Sequence, residues 1–460
     1  MGQTFFVHFM DWIWALRLPL SVLFTVYAAR ELWLLGKGER LRAALMSSYF
    51  FLVISAYWLI KPIKKALLVG YYQAAGLTVW GRHFDAAQVE LAAKEINMLV
   101  ALAAALAFGR LAARFKREGL VLVITAFFAL GFAAFALFLA DAQAPSVWLF
   151  YLYGDFFITL MVAGFFAFLN DSQDASSASR VYGLVVLGGV LGGFFGSAVV
   201  AGHAREFGPS EASLVCVGAL AVIAAAAWGS GRLVGAAPRT RPAGTGEGHG
   251  QDLLKGGLRS LLRSRYLLGI ACVVGLYEMV SAVMDYQFTS AVLHYVSAGE
   301  LKAHFARVYS FTNFLSLVIQ LFLTRLVMTR FGIKTALLLL PLTAIAGEAV
   351  FVVLPGLLFG SLLNTIDNAF SYSINQSAKE ALYVPVDREE KYQAKAFIDI
   401  FILRSAKAVA IVASLLLTVV FAGFEGIRWL SLFVLGLLVV WLTVIRYLGR
   451  TYTEMGRTQA

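Results

Sequence analysis

Charge is scarce in this chain. Only 14% of its 460 residues are charged, against 60% hydrophobic, where a soluble domain carries about a quarter charged residues. That shortage excludes an ordinary soluble domain. Cysteine is scarcer still: Cys216 and Cys272 are the only two, and both lie inside apolar runs, so no disulfide framework is indicated. No Cys or His spacing suits a metal, and no cofactor is expected. The glycine-rich stretch 244–250 lacks the Gly-Lys-Ser/Thr ending of a phosphate loop, and no nucleophile–base pair stands out, so the chain is not read as an enzyme. The N-terminus lacks a basic region and a cleavage site, so a removable signal peptide is not expected. Residues 5–28 are apolar but contain Asp11, Arg17 and Pro19; they are read as an interfacial segment, with an extra membrane helix as the alternative.

What is present is apolar length. Runs of about 20 residues, enough to cross a bilayer, recur from end to end and are continuous rather than alternating, which predicts helices and not a barrel. Six fall near 45–70, 92–112, 119–140, 146–169, 181–203 and 212–231, and six more near 266–294, 304–328, 334–354, 356–377, 396–421 and 427–447. Between them, Ala236 to Gly250 is rich in Gly and Pro and reads as a linker. The expected fold is therefore an all-α membrane protein with a major facilitator-type layout, 6+6 transmembrane helices in two pseudo-symmetric halves. The expected divisions are 1–43 (leader), 44–231 (first bundle), 232–264 (linker), 265–447 (second bundle) and 448–460 (tail).

The formal charge of +11 reports topology rather than nucleic-acid binding. Arg110, Arg114, Lys116 and Arg117, then Arg232 to Arg265, then Arg325, Arg330 and Lys334, all fall on one side of such a bundle. The opposite loops hold only a few basic residues, such as Arg82 and Arg205. By the positive-inside rule the linker and C-terminus are cytoplasmic. A bacterial inner (cytoplasmic) membrane is the expected location, with lipid as surroundings and a monomer as the expected state.

The charges inside the apolar runs carry the functional reading. Lys61, Lys64 and Lys65 interrupt a run from Leu45 that resumes at Ala66 and continues to Val79. At 100° per residue they occupy about a third of a helix circumference. A lysine at the centre of a membrane helix costs about 2.5–3.5 kcal/mol on insertion scales, so three on one face call for carboxylates, water or an anionic ligand. They are read as one wall of an anion-binding cavity, against the alternative of snorkelling to the headgroups. A second basic cluster, Lys395, Arg404 and Lys407 with Asp399, lies on the eleventh span; Lys395 and Asp399 are four apart and can pair. Asp155, Glu278, Asp285 and Asp367 are candidates for coupling or charge pairing. Tyr57, one turn before Lys61, is a candidate for stacking on a base, and lipid-facing placement is as good a reading. Gly188, Gly189, Gly192, Gly193 and Gly196 have small-xxx-small spacing and are read as a helix-packing face. The fourth and tenth spans end in similar polar exits, Asn170-Asp171 leading to Arg180 and Asn375-Gln376 leading through Lys379 and Glu380 to Lys391 and Lys395, as a duplicated unit would leave.

These motifs resemble a known family. Tyr57-Trp-Leu-Ile-Lys61-Pro-Ile-Lys64-Lys65 is similar to the first-span signature of the ATP/ADP translocases of plastids and intracellular bacteria. Phe165 to Asp171 with Ala178-Ser-Arg180-Val-Tyr182-Gly183, Asp285-Tyr-Gln-Phe288, and Lys379-Glu380 to Asp399 resemble further motifs of that nucleotide transporter family. The resemblance implies a major facilitator fold and ATP/ADP exchange (antiport) or proton-coupled nucleotide uptake. It implies substrate contacts at Lys61, Lys64, Lys379, Glu380, Lys395 and Asp399. One departure is clear: Lys65 stands where the family usually has Asp.

The expected function is thus secondary transport of a phosphorylated anion, a nucleotide first, by alternating access. The expected substrate contacts are Tyr57, Lys61, Lys64, Lys65, Asn170, Arg180, Asn375, Lys379, Glu380, Lys395, Arg404 and Lys407. The alternatives are a carrier or exporter of another organic anion, and a non-transporting scaffold or receptor on the same fold.

Overall fold

The computed structural model describes residues 37–115, 117–172, 175–203, 206–233, 249–420 and 423–459. The leader segment 5–28 and the first part of the linker lie outside them. The chain divides into two compact units, Met1–Arg241 with Ser297–Phe311, and Pro242–Val296 with Thr312–Ala460.

The first unit is built around α1 (Lys37–Tyr72), a 36-residue helix that carries Pro62 in its interior. A hairpin of two three-residue strands, β1 (Leu77–Val79) and β2 (Arg82–Phe84), follows it. The apolar run to Val79 is therefore not one span: the helix ends at Tyr72, and Gly76 and Gly81 supply the positive φ that folds the chain back. Asp85 caps α2 (Ala86–Arg114), accepting from the Gln88 N–H while Gln88 returns the bond to the Asp85 N–H. Then come α3 (Arg117–Phe138), α4 (Ala144–Ser172), α5 (Ala175–Gly202) and α6 (Pro209–Leu233).

In a bilayer, helices gain little from hiding apolar surface from each other, and close packing holds them instead. The glycines of α5 provide it. A Cβ on Gly188, Gly192 or Gly196 would overlap the carbonyl oxygen of Ser47, Phe51 or Ser55, respectively. Three glycines four apart meet three carbonyls four apart, so the two backbones run side by side. On its other flank α1 packs aromatic rings against α4: Phe50 stacks on Phe165 at 4.6 Å and Tyr49 meets it edge-on at 4.9 Å.

The second unit starts with α7 (His249–Arg263), which lies within the segment expected to be linker. Its sequence shows why it is helical: Leu253, Leu254, Leu258, Leu261 and Leu262 recur at helix spacing. It lies on α14 (Arg388–Phe397), where Gly257 faces the Gln393 carbonyl and the Phe397 side chain. Next are α8 (Arg265–Tyr295), α9 (Leu301–Val318), α10 (Thr324–Arg330), α11 (Gly332–Val353), α12 (Leu357–Phe370), α13 (Gln376–Ala381), α15 (Leu403–Val420) and α16 (Ile427–Gln459). π turns at Ile319–Leu323, Ser371–Asn375 and Ile398–Ile402 join α9 to α10, α12 to α13 and α14 to α15. Such turns collect at functional sites. The first turns of α9, Ser297–Phe311, group with the first unit.

Among the described residues, nine helical stretches are long and apolar enough to cross a membrane, and Leu187–Gly202 is a shorter apolar one. The tenth and eleventh expected spans are helical too, each interrupted by a π turn. The all-α membrane bundle expected from the sequence is the architecture observed.

Candidate functional site

In the first unit the lysines of α1 point inward. Lys64 and Lys65 are 3% and 4% exposed, so neither snorkels to a headgroup. The Lys64 stem crosses α4 at Gly154, where a Cβ would come within 2.8 Å of its Cδ. Beyond that gap its ammonium meets Asp155 Oδ1 at 2.6 Å, donates to the Tyr151 carbonyl at 3.2 Å and lies 4.5 Å from the Tyr151 ring centre. Residues 151, 154 and 155 share one face of α4, which is why one glycine there admits the whole side chain. Asp155 also accepts from the Asn97 amide of α2.

Lys65 reaches Glu90 of α2 at 3.3 Å. Glu90 is 1% exposed and is shared: Lys94, one turn on, meets it at 2.9 Å, and the Tyr151 hydroxyl donates to it at 3.2 Å. Lys65 also lies 5.2 Å from the Phe305 ring. Lys61, half-buried, sits among rings: Trp58 at 4.1 Å, Tyr309 at 4.8 Å and Tyr57 at 6.0 Å. Trp58 and Tyr309 pack edge to face at 5.7 Å, so the cage is preassembled. The ammonium groups of Lys64, Lys65 and Lys94 gather on the carboxylates of Glu90 and Asp155, with Lys61 in its aromatic cage one turn away on α1.

The second unit holds the other set. Lys395 of α14 meets Glu380 of α13 at 2.5 Å and lies 5.7 Å from the Tyr383 ring. The expected partner, Asp399, is instead exposed on the Ile398–Ile402 π turn, which breaks the regular four-residue spacing; Lys379 and Lys395 both act on it through space. Asn375 is buried in the Ser371–Asn375 turn, and its Oδ1 accepts from no protein donor. Asp285 takes the Asn364 amide at 3.2 Å, and Asp367 takes the Ser281 hydroxyl at 2.6 Å. Lys407 of α15 is the cation nearest in influence to both Glu278 and Asp367. Arg404, one turn earlier, is half-buried. Asn170 lies on α4 and Arg180 on α5, but their side chains are outside the described residues.

The structure thus gathers Tyr57, Lys61, Lys64, Lys65 and Asp155 in one unit, and Lys379, Glu380, Lys395, Asp399, Glu278, Asp285, Asp367 and Lys407 in the other. Four participants escaped the sequence reading. Glu90 and Lys94 form an i, i+4 pair at the start of the second span, which the pairing rule could have found. Glu348 is a lone carboxyl in the ninth apolar run, and Gln287 sits inside the Asp285-Tyr-Gln-Phe288 motif. These two meet each other, with Gln287 Nε2 donating to Glu348 Oε2 at 3.2 Å.

Comparison with known proteins agrees with this picture. Residues 352–452 match the family model described as TLC ATP/ADP transporter. ADP,ATP carrier protein 2 of Chlamydia trachomatis is 29% identical over 216 residues, 42% of this chain and 40% of that protein. ADP,ATP carrier protein 1 of the same organism is 25% identical over 338 residues, 65% of this chain and 63% of that protein. The chain therefore spans less than two thirds of the length of these relatives. Among solved structures, the POT family transporter PepTSo aligns with a TM-score of 0.59 at 13% identity, covering 89% of this chain and 98% of its own. The nucleoside transporter NupG aligns with a TM-score of 0.59 at 12% identity, covering 89% and 99%. At such identities the likeness is one of fold.

Proposed function

We propose that this chain, a relative of the ADP,ATP carriers on a secondary-transporter fold, carries a nucleotide across a bacterial inner membrane by alternating access. The observation that carries the proposal is the lysine cluster of α1, with Lys64 and Lys65 buried inside a membrane-type helix bundle and Lys61 held among aromatic rings. Placing Lys64 and Lys65 in a membrane core is expensive. Glu90 and Asp155 offset that cost, and they also hold the amines in fixed directions. A phosphate is an anion rich in strong acceptors, suited to charge-assisted bonds with such ammonium groups. The cage of Trp58, Tyr309 and Tyr57 around Lys61 offers flat faces beside that charge, as a base requires.

Lys65 replaces the acid usual in the family, and here Glu90 supplies a carboxylate in its place. Lys65 thus has a carboxylate partner on a neighbouring helix. On this reading the family's exchange chemistry survives the departure. The cargo is a small anion, the carrier works as a monomer, and the linker and C-terminus face the cytoplasm. Proteoliposomes loaded with ADP are expected to take up labelled ATP, and unloaded ones far less. Equal, background-level uptake in both, with no labelled nucleotide or phosphate ester moved, would refute the proposal.

A further inference from the structure

Glu348 of α11 has no part in the lysine chemistry above. It is 0% exposed, as are Gln287 of α8 and Ser431 of α16 beside it. Gln287 Nε2 donates to Glu348 Oε2 at 3.2 Å and to Ser431 Oγ at 2.7 Å. The remaining oxygens of the two longer side chains, Glu348 Oε1 and Gln287 Oε1, accept from no protein donor. Two orphaned acceptors, one of them on a carboxyl, therefore lie in one sealed cluster.

The charged side chains of the surrounding helices are engaged elsewhere. Asp285 on α8 takes Asn364, and Asp367 on α12 takes Ser281. His294 at the end of α8 stacks on Phe424 at 4.0 Å. Lys379 on α13 and Lys407 on α15 act on Glu278. Among the described residues the groups acting on Glu348 are Gln287 and Ser431, both neutral; Arg428 on α16 and Lys334 on α11 itself are not among them.

An ionised carboxylate held only by neutral groups in a dry interior costs several kcal/mol. One proton removes that cost. It neutralises the carboxylate, and it turns one acceptor oxygen into an O–H donor. The cluster also lies close to one end of its helices: Glu348 is five residues before Val353, Gln287 eight before Tyr295 and Ser431 four after Ile427. At 1.5 Å per residue it sits about 6–12 Å inside, within reach of water once the helices part.

We propose that Glu348, Gln287 and Ser431 form a proton-binding site through which a proton gradient is coupled to transport. The carboxylate takes a proton from water when the cluster opens, keeps it as a neutral acid while sealed, and returns it to water on the next opening. Each proton carried this way offsets one negative charge of the anionic cargo. The inference rests on the carrier reading above, and its test has an arm independent of cargo.

That arm is infrared difference spectroscopy of the purified chain in liposomes. A carboxylic-acid C=O band is expected at neutral pH in the native protein and absent from Glu348→Gln, whose amide imitates the protonated acid. Gln287→Leu, which spares the carboxyl but removes its neighbour, is expected to move the band without abolishing it. The transport arm compares labelled ATP uptake with and without an acidic exterior. The gradient is expected to speed native uptake several-fold, while Glu348→Gln keeps gradient-free exchange within about twofold and loses the acceleration. A folded Glu348→Gln that retains the band or the acceleration would overturn the proposal, as would a sodium-dependent, pH-independent acceleration lost in that variant. If no nucleotide moves at all, the function proposed above fails, while the band still decides the proton site.

Discussion

The two units bury carboxylates in opposite ways. In the first, Glu90 and Asp155 are bound to ammonium groups, at 2.9 Å and 3.3 Å for Glu90 and 2.6 Å for Asp155. In the second, Glu348 takes its hydrogen bond from the neutral Gln287 amide. A carboxylate tied to a buried lysine serves as a fixed counter-charge, and losing it strands the lysine. A carboxyl held by neutral donors is free to change its own charge. Under the proposed function, the comparison assigns phosphate binding to the lysines of the first unit and proton handling to the Glu348 cluster of the second.

The same substitution made in both places is the sharpest way to break that comparison. Glu90→Gln leaves Lys65 and Lys94 without their shared anion, and breaking a buried pair costs about 3–5 kcal/mol. Its melting temperature in detergent is expected to fall steeply. A Glu90→Gln protein as stable as the native one would mean that these ammonium groups do not depend on the carboxylate. Glu348→Gln makes an equal chemical change where no cation depends on the charge. One neutral hydrogen-bonding group replaces another there, so the expected change is below about 1 kcal/mol. Equal losses from the two substitutions would erase the distinction between the units.

Much of this was legible in the residues. The apolar run lengths indicated an all-helical membrane bundle, and the small-xxx-small spacing of Gly188, Gly192 and Gly196 marked the face on which α5 meets α1. The interruption at Lys61, Lys64 and Lys65 marked the buried charge cluster, because charge inside an apolar run is conspicuous in one dimension. What hid was whatever depends on a second helix. Nothing local says that Lys64 would select Asp155, 91 positions away, through a gap left by Gly154. Run length hid the end of α1 as well: residues 73–79 are apolar enough to prolong a span, but Gly76 breaks from the helix and the turn at Trp80-Gly81 folds the chain into a hairpin. The helix at His249–Arg263 was masked by the glycines around it, and its leucine periodicity emerges only past Gly250. Lys395 shows a subtler limit. Spacing of four predicts a bond to Asp399, but a π turn beginning at Ile398 displaces the carboxylate, and Glu380 takes the ammonium.

The central claim is that the Lys64 amine, held by Asp155, binds the phosphates of the cargo rather than the fold. It is tested most directly by removing both partners together. Replacing a buried ion pair by apolar groups of similar volume is often neutral for stability, so Lys64→Met with Asp155→Leu is expected to stay folded, with a melting temperature near the native one. Uptake of labelled ATP into ADP-loaded proteoliposomes by this double variant should fall by a factor of about 100 or more, the loss of one to two charge-assisted bonds to phosphate. A folded double variant that exchanges nucleotide at the native rate would contradict the account.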